Sequence, residues 1–210
     1  MIRAQRAIVV AFDGLITDTL DQRTFAVVEG IAAVGFTIDT PIVRSLIAGL
    51  TLAEAVRLSF DVSGFDIDET TIDIAIMRAT RLLSTTMRQA VLLAPSAAEW
   101  MQRAAMHSRL IVRADSERSF VDTVLGTSGI SDYIAFVVCP DDIPHSRTGV
   151  PTFISSWNVI ANRCEALGVN RENLHGLECA SEELCTRVHA ARIHRVTRVT
   201  EVAPDALQLS

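Results

Sequence analysis

Hydrophobic and polar positions follow two different patterns along the chain. The apolar run AIVVAF, residues 7–12, ends on Asp13-Gly14 and predicts a short buried strand followed by a tight turn. From there to about residue 90, apolar residues recur at helical spacing and predict four helices without a strand between them. The four helical segments are TFAVVEGIAAVGF, TPIVRSLIAGL, TLAEAVRLSF and DETTIDIAIMRATRLLSTTMRQA.

From Leu93 onward, short apolar segments alternate with amphipathic helical ones. The predicted strands are SRLIVRA, YIAFVVC, NLHGLE and HRVTRV, and the predicted helices are PSAAEWMQRAAM, SERSFVDTVLGTSG, PTFISSWNVIANRCEALG and SEELCTRVHAA. Such alternation predicts an α/β protein with a parallel sheet and helices on both faces. We therefore predict a Rossmann-like core formed by residues 1–15 and 90–210, with an all-helical cap of residues 16–89 inserted after the first strand.

Composition narrows the class of protein. Of the 210 residues, 49% are hydrophobic, but no apolar run approaches the roughly 18 residues that span a bilayer. The first apolar run is also too short for a signal peptide, so we expect a soluble, cytoplasmic protein without a membrane partner. The net charge of -6 argues against a nucleic-acid partner, because such proteins need a basic surface.

The metal-binding and nucleophilic residue types show no recognisable spacing. The four cysteines lack a CxxC pair and the five histidines lack an HExxH-like pattern, so no zinc site is predicted. We expect four buried thiols. All 19 basic residues are arginines, so no site in this chain can use a lysine ammonium group.

Candidate site residues follow the predicted strands. In an open parallel sheet, ligands bind beyond the carboxyl ends of the strands. The segments at those ends are Ala11–Gly14, Arg113–Ser116, Cys139–Arg147 and Glu178–Ser181.

These four segments, in this order, resemble the motifs of the haloacid dehalogenase superfamily, in particular its β-phosphoglucomutase-like phosphatases with a helical cap. FDGLITDT is similar to the first motif, in which a strand ends in Asp-x-Asp-Gly and continues to Asp-Ser or Asp-Thr. Further similarity lies in GLTLAEAVRL, in SERSFVDTVLGTSGISDYIAFVVCPDDIP and in FISSWNVIANRCEALGVNRENL. The resemblance covers nearly the whole chain and implies a fold shared with enzymes that act on small phosphorylated metabolites.

In active members of that superfamily, the first Asp attacks phosphorus and the second acts as general acid and base. A Ser or Thr after the second strand and a Lys in the third motif hold the phosphate, while acids in the fourth motif complete a magnesium site. An acyl-phosphate requires a carboxylate nucleophile, and Mg²⁺ prefers oxygen ligands.

Transferred to this sequence, the pattern is mostly broken. Ala11 stands at the nucleophile position, whereas Asp13 matches the acid/base and Gly14 matches the glycine of the turn. Arg113 stands at the phosphate-binding Ser/Thr position, with Asp115 and Ser116 just beyond it. Arg147 replaces the Lys. The aspartate of the fourth motif falls on Cys179 or Ala180, which leaves Glu178 as the remaining carboxylate there.

The resemblance therefore predicts a protein that has lost magnesium-dependent phosphoryl transfer. Removing a protease nucleophile costs on the order of 10⁶ in turnover, and the altered positions here also remove metal ligands. We expect no magnesium cofactor and a binding or regulatory role. Two alternatives stay open. In one, Asp13 activates water while Glu178 or Asp115 recruits a metal, and the protein is an active hydrolase; in the other, it is a structural partner subunit, for example of a homodimer.

Charge suggests what the altered site could bind. Asp13 set against Arg113 and Arg147 leaves roughly one positive charge, or none if Glu178 points inward. Guanidinium groups form paired hydrogen bonds with phosphate or carboxylate, so a small anionic or phosphorylated ligand is one interpretation. The other is that both arginines pair with neighbouring acids and fill the site. The candidate partners for such pairing are Asp13, Asp115, Asp141 and Asp142.

Overall fold

A computed structural model of the chain describes residues 6–90, 93–94, 97–143, 150–180, 182–189, 193 and 195–198. Its five strands are β1 (Ala7–Ala11), β2 (Arg109–Arg113), β3 (Ile134–Val138), β4 (Leu174–Glu178) and β5 (Arg195–Arg198). Its eight helices within these ranges are α1 (Leu20–Ala32), α2 (Thr40–Leu46), α3 (Leu52–Val62), α4 (Glu69–Ala90), α5 (Ala97–Ala105), α6 (Arg118–Ser128), α7 (Thr152–Ala166) and α8 (Glu182–His189).

The five strands form one parallel sheet in the order β3-β2-β1-β4-β5. The central strand β1 is apolar at every position and fully buried, as expected for a strand that is covered on both faces. Ala11 aligns with Arg113 on β2, and Val10 aligns with Leu177 on β4. This register brings the ends of β2, β1 and β4 to the same edge of the sheet.

Side chains on the two faces of the sheet enter two separate apolar clusters. Ile8 and Val10 point into a cluster with residues of α5 and α6, such as Trp100 and Val121. Val9 points to the opposite face, where it joins Trp157 and other residues of α7 and α8. The predicted α/β sandwich with helices on both faces is confirmed.

The helices α1 to α4 form a helical unit inserted after β1, as the periodicity predicts; the exact domain boundaries stay a prediction. Gly30 lets α1 approach α4 closely, since a Cβ there would lie 2.8 Å from the carbonyl oxygen of Ala75. The predicted capping box begins α3: Thr51 Oγ1 accepts from the Glu54 N–H at 3.2 Å, and Glu54 accepts from the Thr51 N–H at 2.8 Å. Within the described residues, no helix is both long and apolar enough to cross a membrane.

The outer edge of β3 is covered by arginine side chains. Arg118 of α6 and Arg163 of α7 both donate hydrogen bonds to the carbonyl oxygen of Val137, at 3.0 and 3.3 Å. Arg163 also lies 5.8 Å from the ring centroid of Phe136. The carboxylate of Asp142 binds both guanidinium groups and so fixes them along this strand.

Candidate functional site

A tight turn connects the end of β1 to the helical unit. Gly14 has a positive φ of 91°, and its N–H donates to the carbonyl oxygen of Thr17 at 2.7 Å. A Cβ at Gly14 would lie 2.9 Å from Cys179 Sγ, so both the backbone conformation and the space require glycine. The turn that the Asp-Gly pair predicts is present, and it directs the Asp13 side chain towards the end of β2.

The Asp13 carboxylate is surrounded by hydrogen-bond donors. Its Oδ1 accepts from the hydroxyls of Ser116 at 2.6 Å and Thr19 at 2.8 Å. Its Oδ2 accepts from the backbone N–H groups of Asp115 at 2.8 Å and Ser116 at 3.1 Å. Only 3% of Asp13 is exposed. The donors after β2 that face the end of β1 are therefore occupied by a side chain of the protein itself.

Arg23 on α1 completes the surroundings of Asp13, and sequence reasoning missed it. Its Nη1 lies 3.6 Å from Asp13 Oδ1 and 3.8 Å from Asp115 Oδ2. Its Nη2 donates to the carbonyl oxygen of Leu50. Arg23 is 1% exposed, and its Nη1 makes no hydrogen bond with any described residue. No motif marks this arginine in the sequence; the available signal is a charged residue on the buried side of an amphipathic helix.

Arg113 at the end of β2 is bound to two carboxylates. Its Nε and Nη2 donate to Glu178 at 2.6 and 2.8 Å, which is a paired hydrogen bond. Its Nη1 and Nη2 donate to Asp115 at 2.5 and 3.3 Å. The guanidinium carbon also lies 4.4 Å from the ring centroid of Phe153. Asp115 is one of the alternative partners that the sequence analysis names for Arg113, whereas Glu178 is not among them.

The Arg113–Glu178 pair crosses the face of β1 at the position of Ala11. Arg113 lies on β2 and Glu178 on β4, the two strands that flank β1. Because side chains alternate along a strand, Ala11 faces the same side of the sheet as Val9. The register places Arg113 beside Ala11, so its side chain must pass over Ala11 to reach Glu178. Alanine leaves space for this bridge at the position where the resemblance expects a nucleophilic carboxylate.

The charges of this group nearly balance. The three carboxylates of Asp13, Asp115 and Glu178 and the two guanidinium groups of Arg23 and Arg113 leave one formal negative charge when all are ionised. This differs from the count made on the sequence, because Glu178 (0% exposed), Asp115 and Arg23 are now included and Arg147 lies outside the described residues.

The pKa values of Asp13 and Glu178 are shifted in opposite directions, although burial by itself raises both. Burial alone would raise the pKa of Asp13, but Arg23 and the hydrogen bonds from Ser116, Thr19 and Asp115 hold it below its ordinary value. Burial raises the pKa of Glu178, and the attraction of Arg113 offsets this only in part. Asp13 is thus held in its ionised form, while Glu178 takes up a proton more readily than an ordinary glutamate.

The remaining predicted site residues lie at the end of β4 or outside the described residues. Ala180 is buried against the helical unit, and Cys179 is half-buried beside Gly14. The expectation of four buried thiols is therefore wrong for Cys179, although Cys139, Cys164 and Cys185 are buried. Arg147, and with it half of the predicted arginine pair, lies outside the described residues.

The residues at the strand ends do not fit a magnesium ion of the kind that the resemblance implies. Mg²⁺ requires free carboxylate oxygens and keeps several water ligands. Here Asp115 and Glu178 bind Arg113, and Asp13 accepts four hydrogen bonds and is only 3% exposed. Among the described residues, no group of three His, Cys, Asp or Glu side chains is arranged to hold a metal ion.

Neither the protein-family models nor the curated proteins compared with the sequence gave a match. The fold, by contrast, is similar to many solved structures. β-Phosphoglucomutase from Clostridium difficile matches 93% of this chain and 92% of its own, with a TM-score of 0.68 and 17% identity. A haloacid dehalogenase-like family hydrolase from Streptococcus pneumoniae matches 98% of this chain and 90% of its own, with a TM-score of 0.70 and 11% identity.

A third similar structure is a predicted phosphoglycolate phosphatase from Haemophilus somnus. It matches 91% of this chain and 84% of its own, with a TM-score of 0.68 and 13% identity. At such identities, similarity of structure concerns the fold and not the chemistry. The resemblance found in the motifs is confirmed at this level: the chain has the fold of the haloacid dehalogenase-like hydrolases and β-phosphoglucomutases, with a Rossmann-like core and a helical cap.

Proposed function

We propose that this protein does not catalyse magnesium-dependent phosphoryl transfer and acts instead as a binding or regulatory protein built on a hydrolase fold. The observation that carries the proposal is the Arg113–Glu178 bridge over Ala11. It fills the end of β1 with a guanidinium group where the resemblance expects an attacking carboxylate. Phosphoryl transfer depends on positioning and on charge neutralisation, and the groups that would provide both are engaged with one another here.

The lowered pKa of Asp13 and its hydrogen bonds support the same conclusion. A general acid or base works best when its pKa lies near the working pH. The pKa of Asp13 is held below its ordinary value by Arg23 and its hydrogen bonds, which more than offset burial. Its hydrogen bonds to Thr19, Asp115 and Ser116 would also have to break before it could accept a proton from water. These contacts speak against the alternative in which Asp13 activates water.

Binding of a small anionic or phosphorylated ligand stays a prediction. Arg113 already donates four hydrogen bonds to Asp115 and Glu178. The backbone N–H and the hydroxyl of Ser116 both donate to Asp13. An anion at this position would have to replace internal carboxylates. Thermal unfolding with and without inorganic phosphate tests it: a stabilisation by phosphate that Arg147→Met removes would support an anion site that includes Arg147.

The test of the proposal is incubation of the purified protein with a broad panel of phosphate esters and Mg²⁺, with release of phosphate as the readout. We expect no release above the buffer control. Turnover that Asp13→Asn abolishes, in a variant shown by circular dichroism to be folded, would overturn the proposal.

Light scattering on the same sample tests the separate prediction of a homodimer.

A further inference from the structure

We propose that Arg23 and Glu54 form a latch that holds the helical unit of α1 to α4 closed over the carboxyl end of the sheet. This inference goes beyond the proposed function, since it concerns access to the site and not its chemistry. It predicts that the helical unit stays in contact with the rest of the described chain, which contains the sheet and is called the sheet unit below, in the absence of any ligand. Three contacts between the units carry the argument.

The first contact is the buried charge of Arg23. This side chain belongs to the helical unit and donates to Leu50 of the same unit, while its Nη1 faces Asp13 and Asp115 of the sheet. Lifting the unit would remove the arginine from the two carboxylates. The attraction between these charges acts in a buried site, where the effective dielectric is lower than in water, so this contact favours the closed arrangement.

The second contact is made by Glu54 at the beginning of α3. Its Oε2 accepts from Thr51 in the capping box, and its Oε1 accepts from the backbone N–H of Thr152 at 2.7 Å. Thr152 is the first residue of α7, where backbone N–H groups have no acceptor within the helix. One carboxylate therefore caps two helices, one in each unit, and favourably meets the positive end of both helix dipoles.

The third contact is a close approach of backbones. Gly49 has a φ of 83°, and a Cβ there would lie 2.6 Å from the Cβ of Ala180 at the end of β4. The neighbouring Leu50 belongs to the same apolar cluster as Ala180 and Leu184. The loop after α2 is thus seated directly on the sheet unit, without space for a solvent layer.

The burial of the site follows from these contacts. Asp13 is 3% exposed and is contacted by Arg23 of the helical unit, so we infer that a solute would reach it only after the two units had separated.

Amide hydrogen exchange resolved by NMR tests the latch. The informative amides are those of Asp115 and Ser116, because they donate to Asp13, which Arg23 of the helical unit contacts. The first variant is Arg23→Met, with Arg57→Met as its control, since Arg57 binds Glu69 and Asp73 within the helical unit. The second pair does not depend on whether Arg23→Met folds.

That second pair is Glu54→Ala and Thr51→Ala. Thr51→Ala removes the hydroxyl that takes part in the capping box but leaves the backbone N–H bond to Glu54. Only Glu54→Ala removes the bond to Thr152 of the sheet unit. We expect Arg23→Met and Glu54→Ala to raise the exchange rates at Asp115 and Ser116 by about tenfold or more, and the controls to leave them close to wild type. The amides of Val9 and Ile111 in the sheet should not change.

Two outcomes would overturn the latch. One is exchange at Asp115 and Ser116 that stays unchanged in both Glu54→Ala and a folded Arg23→Met. The other is an equal acceleration of the Val9 and Ile111 amides, which would show a general loss of stability without separate opening of the helical unit. Neither outcome depends on phosphate release, so a failure of the latch is distinguishable from a failure of the proposed function.

Discussion

Arg113 and Glu178 are joined by two hydrogen bonds of 2.6 and 2.8 Å that pass across the strand lying between them. The strand between them is β1, and the residue at that level is Ala11. The small side chain at Ala11 and the arginine on the neighbouring strand therefore depend on each other.

The first prediction is that Ala11→Asp destabilises the protein and restores no phosphatase activity. The new carboxylate would be buried beside Glu178 and next to the guanidinium group of Arg113, which already binds two carboxylates. We expect the free energy of unfolding to fall by about 2–4 kcal/mol. Ala11→Asn is the matched control, because it has nearly the same volume and no charge. Urea denaturation that gives the same loss for both variants would contradict the electrostatic argument.

The second prediction concerns the coupling between Arg113 and Glu178. Arg113→Met leaves two buried carboxylates without this cation and should cost about 3–5 kcal/mol of unfolding free energy. The double variant Arg113→Met/Glu178→Met should lose less than the sum of the single variants, with a coupling of at least about 1 kcal/mol.

A double-mutant cycle at Arg103 and Glu99 provides the control for that coupling. These residues form an exposed pair one turn apart on α5. Such pairs couple by only about 0.3–0.5 kcal/mol. If the buried pair couples no more strongly than this exposed one, the bridge over Ala11 does not stabilise the fold in the way we infer.

The strands and helices, and the order of the site segments, could be predicted from the sequence because hydrophobic period and turn residues are local signals. The pairing of charges could not. Arg23 lies in the interior of α1 without a motif, and only the packing of that helix against the strand ends brings it to Asp13. Likewise, the partner of Arg113 is decided by register: Ala11 lies beside it and Glu178 lies one strand further on.

The third prediction is that stability contributed by Asp13 disappears in acid. Its pKa is lowered in the folded protein, so the folded form binds this proton less readily than the unfolded chain, whose aspartate pKa is about 3.9. The contribution is complete above that value and is lost as the pH falls through the lowered pKa. The difference in unfolding free energy between wild type and Asp13→Asn should therefore shrink as the pH falls below about 4.

Glu178 supplies the opposite trend as a comparison. Burial raises its folded-state pKa above the ordinary value of 4.5, so the folded protein binds this proton more readily than the unfolded chain. As the pH falls from neutral through that raised pKa towards about 4.3, wild type should gain stability relative to Glu178→Gln. Parallel trends for the two variants would refute the assignment of opposite shifts.

The fourth prediction is slow reaction of the native thiols. Burial raises the pKa of Cys179 and of Cys139 to about 12, in spite of the opposing attraction of Arg113 and Arg118 respectively. At pH 8 a thiol with such a pKa is ionised to only about 10⁻⁴, and the thiolate is the reactive form. Ellman's reagent should therefore modify the native protein orders of magnitude more slowly than the protein unfolded in guanidinium chloride.

Cys179 is the decisive thiol in that experiment because it is the half-buried one among the four. Cys179→Ser serves as the control that assigns any residual reaction. A native thiol that reacts at the unfolded rate and disappears in Cys179→Ser would show that Cys179 is a reactive group and not a small packing residue.

The arginine pair on β3 has a consequence for self-association. An uncovered edge strand with apolar side chains is a template on which a second chain can add its own strand and begin to aggregate. Arg118 and Arg163 occupy the Val137 carbonyl that such a strand would need, and Asp142 keeps them there. A second copy docking at this edge would first have to displace both guanidinium groups, so β3 is protected against the sheet extension that its sequence, IAFVV, would otherwise invite.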